Sequence, residues 1–314
     1  MKKLLIVLIV LCGVFTAWGS AFPQCSSGCY PTNFPATPTT ANPALCAALV
    51  NPTGTVNATI NATGCDVGVY YGPGNKGFIE GANISGATYF GVLVNGASVS
   101  VLDSNISNIG PLTNIFGNIQ YRPVGIFYLN GDKPHHHRNQ RNKIEGNTIT
   151  LPTWGKGGIV AKNPGTVVEI KNNTITGSPL NPGIAQNGIE IGDGAQADIA
   201  HNTVESNQYT GTDTNATGIL IYGGPGFAGL GVFEGPNYTG NVNVHDNILT
   251  NNDVGVYLSN MNTGQLIPSR TWNVINHNQI SNDNSNPNIF NTGIAYASGH
   301  GDTISENTIY GKGY

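Results

Sequence analysis

Charged side chains are scarce in this chain, at 10% of residues, so a place where they gather stands out. The segment from Gly131 to Lys143, with Asp132, Lys133, His135, His136, His137, Arg138 and Arg141, carries eight charged or imidazole groups in thirteen residues. If that segment is extended, His135 and His137 project to one side and form a possible pair of ligands for a divalent metal. Asp132, Lys133, His136, Arg138 and Arg141 are then candidate ligand-binding residues, and the cations could neutralise a sugar carboxylate. A solvated surface loop is the plain alternative.

Glu190 is the second candidate. It is the only carboxylate in a column that reads Leu93, Phe127, Val160, Glu190, Leu220, Tyr257 and Ala295. Apolar neighbours raise a carboxyl pKa, which would suit Glu190 to work as a general acid. Glu169 or Asp198 would supply the second carboxylate of a hydrolase pair. A column so apolar implies a groove, a covering loop or a partner surface, with Phe127 and Tyr257 as stacking residues. The plain alternative is that Glu190 meets Lys162 or solvent. A third set, His201, Asp246, His277 and Glu306, alternates imidazole and acid at one repeat position, to bind metal or simply to pair charges.

The elements that must carry these groups are repeats. A unit of apolar, two variable residues, Asn, one variable residue, apolar recurs at Ile144–Ile149, Ile170–Ile175, Ile199–Val204, Val244–Leu249, Ile275–Ile280 and Ile304–Ile309. Its Asn column is Asn147, Asn173, Asn202, Asn247, Asn278 and Asn307. Two earlier copies place Ala82 and Ser104 there. A second unit begins at Gly91, Gly125, Gly158, Gly188, Gly218, Gly255 and Gly293, with branched residues alternating inward. Period-two alternation means strand. One Gly unit and one Asn unit per repeat predict an all-β fold, a right-handed parallel β-helix solenoid of about eight coils. Stacked Asn amides would bond from coil to coil as a ladder. A β-sandwich would not need two columns held at fixed phase through most of the chain.

The Gly-Ile-x-Ile strand followed by Ile-x-x-Asn-Thr-Ile resembles the repeats of the pectin-lyase-like superfamily, over roughly residues 68–314. The chain also resembles secreted bacterial β-helix repeat proteins, most of them without an assigned activity. The resemblance implies a rod that engages polysaccharide, as a binder or as a lyase, epimerase or hydrolase with Glu190 or with His135 and His137 as catalytic candidates. Asp132-Lys133-Pro134-His135 resembles the Asp-Pro-His motif of alginate epimerases, with Lys133 inserted. Gly299-His300-Gly301 resembles a polygalacturonase motif, but the other motifs of those enzymes are missing. A structural or adhesive surface protein is a further class. So is periplasmic metal handling, because copper-site maturation proteins have similar repeats. Fold alone does not decide among these.

The ends suggest a compartment. Lys2 and Lys3 precede the apolar run Leu4 to Val14, with small residues after it, so residues 1–21 read as a signal peptide. Leu11 before Cys12 argues against a lipoprotein. No later apolar run is long enough to span a membrane. Cys25, Cys29, Cys46 and Cys65 lie together in residues 22–67, and their even number in an exported chain predicts two disulfides of open pairing. Secreted, periplasmic or cell-surface location follows. Asn42 and Pro43 read as the start of a short capping helix through Leu49. Past Ile309 the remaining residues are too few to cover a coil, which leaves two expectations, a sequence that is a fragment of a longer protein or self-association at that end. A net charge of −4 gives no footprint for nucleic acid.

Overall fold

The computed structural model describes residues 25–35, 44–110, 122–131, 142–212, 214–230, 233–262, 267, 269–283 and 291–311. Three sheets of ten, nine and nine strands run the length of the molecule. Every third strand in sequence falls next to its predecessor in the same sheet, so each coil contributes one strand to each face. The coil made by Asn187–Gly192, Gln196–Ala200 and Thr203–Glu205 is representative. Apart from the antiparallel Tyr30–Pro31 at one edge, the pairings along these faces are parallel, Ile159↔Ile189↔Ile219 on the first sheet and Ile170↔Ile199↔Val244 on the second. The result is a parallel β-helix solenoid of nine coils, one more than the repeats announce.

The additional coil is the first, built from Cys46–Val50, Thr55–Val56 and Thr59–Asn61. It lacks both signatures: Ala58 stands where later coils have Asn, and no glycine opens its first strand. This corrects the expected capping helix. Among the described residues there is no helix, and Cys46–Val50 is a strand between Val67–Tyr71 and the antiparallel Tyr30–Pro31. A short apolar run such as Leu45 to Leu49 fits either period, and pairing to the second coil decides it. Asn42, Pro43 and the signal-peptide residues lie outside the described residues.

The core is the inside of the coil. Ile144, Ile170, Ile199, Val244 and Ile275 form one fully buried column, and Ile126, Ile159, Ile189, Ile219 and Val256 another. Glycine is required where the two stack. A Cβ on Gly91, Gly125, Gly158, Gly188 or Gly218 would lie 2.6, 2.7, 2.5, 2.7 or 2.7 Å from the carbonyl oxygen of the next glycine in the column. The asparagine ladder forms as expected. Asn147, Asn173, Asn202, Asn247 and Asn278 each donate to the Oδ1 of the next at 2.9 Å. Each Oδ1 also accepts the neighbour's backbone N–H, and each Nδ2 reaches back to a core carbonyl, as Asn202 does to Ile170. Ser104 begins the ladder by accepting nothing from Asn147 but donating its backbone N–H to Asn147 Oδ1, at 3.0 Å. A second, shorter amide stack, Asn207 on Asn252, supports the next corner.

Two disulfides, Cys25–Cys46 and Cys29–Cys65, fasten the N-terminal segment onto the first coil. They indicate an oxidising, extracytoplasmic compartment. Among the described residues no helix is long and apolar enough to cross a membrane.

Candidate functional site

The outward face of the first sheet is covered. Tyr70, Leu93, Phe127 and Val160 are buried there together with Phe34, from the N-terminal segment. Residues 224–230 and 233–239 cross this face as a strap. Phe233 of the strap sits edge-on to Phe127, with ring centroids 5.0 Å apart, and stacks on Phe34. The strap is tied down at its far end, where Asp193 Oδ1 accepts both the backbone and side-chain N–H of Asn237 at 2.9 Å. Over Leu93, Phe127 and Val160 the covering loop, of the three readings open to an apolar outward column, is the one observed. Phe127 therefore does not stand on an open surface, and Tyr128 points into the core, donating to the Val99 carbonyl.

Glu190 is 5% exposed beneath this strap. Its Oε1 lies 3.0 Å from Lys162 Nζ, and its Oε2 accepts from Asn187 at 2.8 Å. Lys162 also pairs with Glu234 of the strap at 2.7 Å. The Tyr222 hydroxyl lies within hydrogen-bonding reach of both carboxylates, 2.6 Å from Glu234 Oε2 and 3.1 Å from Glu190 Oε1. Burial pushes the Glu190 carboxyl up, but Lys162, Lys156 and the Asn187 amide outweigh it and hold the group at about 2. That corrects the expected upward shift: the neighbours along the column are apolar, but the groups above and beside Glu190 are cations and donors. The same burial, with Glu190 and Glu234 alongside, pushes the Tyr222 phenol upward. Lys162 stays charged because its two carboxylates overcome the burial that opposes charge. The cluster is a saturated ionic clamp. A general acid needs a proton to give near neutral pH, and Glu190 has none.

Glu169 and Asp198 are outward on the second sheet, facing away from Glu190. Both meet Lys171, at 2.7 and 2.9 Å, so they form no carboxylate pair with Glu190. His201, Asp246, His277 and Glu306 do share one turn position, with φ of 57°, 55°, 56° and 55°. Three of them meet a neighbour: His277 contacts Glu306 at 2.5 Å, and Asp246 contacts Nδ1 of His245 at 2.7 Å. Among the described residues no three such groups converge on a point that could hold a metal. Asp132, Lys133, His135, His136, His137, Arg138 and Arg141 lie outside the described residues.

Open concave surface occurs past the strap, on the last two coils. A groove of about 580 Å³ lies between Tyr257 and Tyr296, lined also by Met261, Asn262, Ile267 and Ser298. Tyr296 is fixed by donating its hydroxyl to Asp302 at 3.2 Å, and Asp302 in turn accepts from Thr271 and from the Asn273 backbone, each at 2.7 Å. Tyr257 was legible as an outward residue. Glu234, Phe233 and Asp302 were not, because each lies outside the repeat and meets its partners across a loop. No protein-family model, curated protein or solved structure matches this chain significantly.

Proposed function

We propose that this is an exported, right-handed β-helix rod of the pectin-lyase-like architecture that binds polysaccharide in the groove between Tyr257 and Tyr296. The groove itself carries the reading. Tyr257 and Tyr296 both line it and supply aromatic surface against which a sugar ring would pack, and the amide and hydroxyl groups between them suit its hydroxyls. The ionic clamp at Glu190 supports binding rather than hydrolysis at the covered face, because every oxygen there is already engaged. The two disulfides support a location outside the reducing cytoplasm.

The test is calorimetric titration of the mature protein with β-1,4-gluco-oligosaccharides and oligogalacturonides, with and without divalent metal. Tyr257→Ala and Tyr296→Ala should each weaken binding about tenfold, near 1.4 kcal/mol. Unchanged affinity in both variants, or no binding of any oligosaccharide in the panel, would exclude this groove as the site.

A further inference from the structure

Around the corner from the groove, where coils turn from the first sheet to the second, is a separate cleft of about 190 Å³. Gln196, Tyr238, Asn241, Ser269 and Arg270 line it. Thr271 lines it too, and next in sequence is Trp272, which is 53% exposed. Its backbone lies in the left-handed region, φ +54°, a conformation that bulky side chains avoid. The residues on either side hold it there. Thr271 donates its backbone N–H to the His300 carbonyl at 2.8 Å and its hydroxyl to Asp302, and the Asn273 N–H also goes to Asp302. The Arg270 guanidinium lies 4.8 Å from the Trp272 ring centre, and among the described residues it has no carboxylate partner. Asn241 and Gly301, at the same corner of the coils on either side, share this conformation, with φ of 57° and 73°. The fold thus leaves a large aromatic side chain more than half exposed, beside a polar cleft and a cation without a carboxylate.

We propose that this cleft is a second saccharide subsite, in which one pyranose ring stacks on Trp272 and hydrogen-bonds to Gln196, Asn241 and Arg270. It rests on the reading of the Tyr257–Tyr296 groove as the first subsite. The two share one short segment: Ile267 lines the groove and Ser269 to Thr271 line the cleft. A glycan long enough to bend round this corner occupies both, and a short one occupies the groove alone.

The test compares trimers and hexamers of β-1,4-linked glucose and of galacturonic acid, with calorimetry and the indole N–H resonance of Trp272 as readouts. Trp272→Gly should weaken hexamer binding about tenfold and leave trimer binding within about twofold. Because glycine adopts φ above zero without the strain a Cβ brings, the same variant should melt no lower than the parent protein. Arg270→Ala should weaken the hexamers in the same selective way. Equal loss for trimer and hexamer, no loss for either, or a drop in melting temperature for Trp272→Gly would overturn the subsite. So would an indole resonance that none of these sugars moves. If that resonance moves while Tyr257→Ala and Tyr296→Ala change nothing, the cleft stands and the groove reading falls.

Discussion

Glu190 shows how far a side chain's neighbours in sequence can mislead about its chemistry. Along its column it has Val160 and Leu220, and from those alone its carboxyl should be hard to ionise. In space it has Lys162, Asn187 and Tyr222, and its carboxyl is held at about 2, below the ordinary 4.5. A depressed carboxyl pKa adds stability above about pH 4.5, and that contribution disappears as pH falls from there toward 2. Its size is on the order of 3 kcal/mol. The Glu190→Gln variant should therefore be less stable than the parent at pH 7, and the gap should narrow as pH falls from about 4.5 toward 2 in urea unfolding. A gap that stays constant across that range would mean that Glu190 does not carry the acid sensitivity. Lys162→Met is the harsher change. It leaves two carboxylates under the strap without their shared cation, and breaking a buried pair in this way costs about 3–5 kcal/mol. Adding Glu190→Gln and Glu234→Gln to Lys162→Met should recover most of that loss; a triple variant as unstable as the single would show that packing, not charge, is what Lys162 supplies.

At the scale of elements, what repeats was legible and what does not repeat was not. The Asn column could be read because each coil must satisfy the same backbone groups at the same corner, so the same residue returns. Asn202 illustrates the demand. Its Oδ1 takes the Asn173 N–H, and its Nδ2 serves the Ile170 carbonyl and Asn247. Asn202→Ala should cost about 2–4 kcal/mol, since it strands a buried donor and a buried acceptor. Asn307→Ala, at the more exposed end of the ladder, should cost distinctly less; similar melting temperatures for the two variants would contradict the ladder's energetic role. The strap had no such signal. Its sequence from 224 to 239 is Gly- and Pro-rich, like any loop, and Phe233 and Glu234 find partners that lie far away in sequence. The capping helix failed for a related reason. Residues 46–50 have no long periodic run to fix their conformation, so the strand edge of the second coil chose for them. The candidate site divides the same way: Tyr257 belongs to a repeat and was visible, whereas Trp272 and Arg270 sit in a turn between repeats.

The molecule as a whole is a one-dimensional stack, about 40 Å along the axis for nine coils at the strand spacing. In such a stack each coil touches only its neighbours, so stability is local and a disturbance at one end need not reach the other. The disulfides test this directly, because both lie at one end. Cys25–Cys46 and Cys29–Cys65 span 21 and 36 residues, and loops of this size are worth roughly 3 kcal/mol each to the folded state. Both hold the segment that covers the first coil, whose own strands are short and carry neither the Gly column nor the Asn ladder. Reduction should therefore release the N-terminal segment and the strands Cys46–Val50, Thr55–Val56 and Thr59–Asn61. The coils from Gly157–Lys162 to Val254–Asn260, held by ladder amides and a continuous isoleucine core, should be untouched. Hydrogen exchange followed by mass spectrometry resolves the difference. After reduction, peptides from residues 46–61 should lose protection by at least a hundredfold. Peptides from 170–175 and 199–204 should exchange as slowly as before. If protection fell uniformly along the chain, the rod would be one cooperative unit, and the disulfides would be holding all nine coils rather than the first.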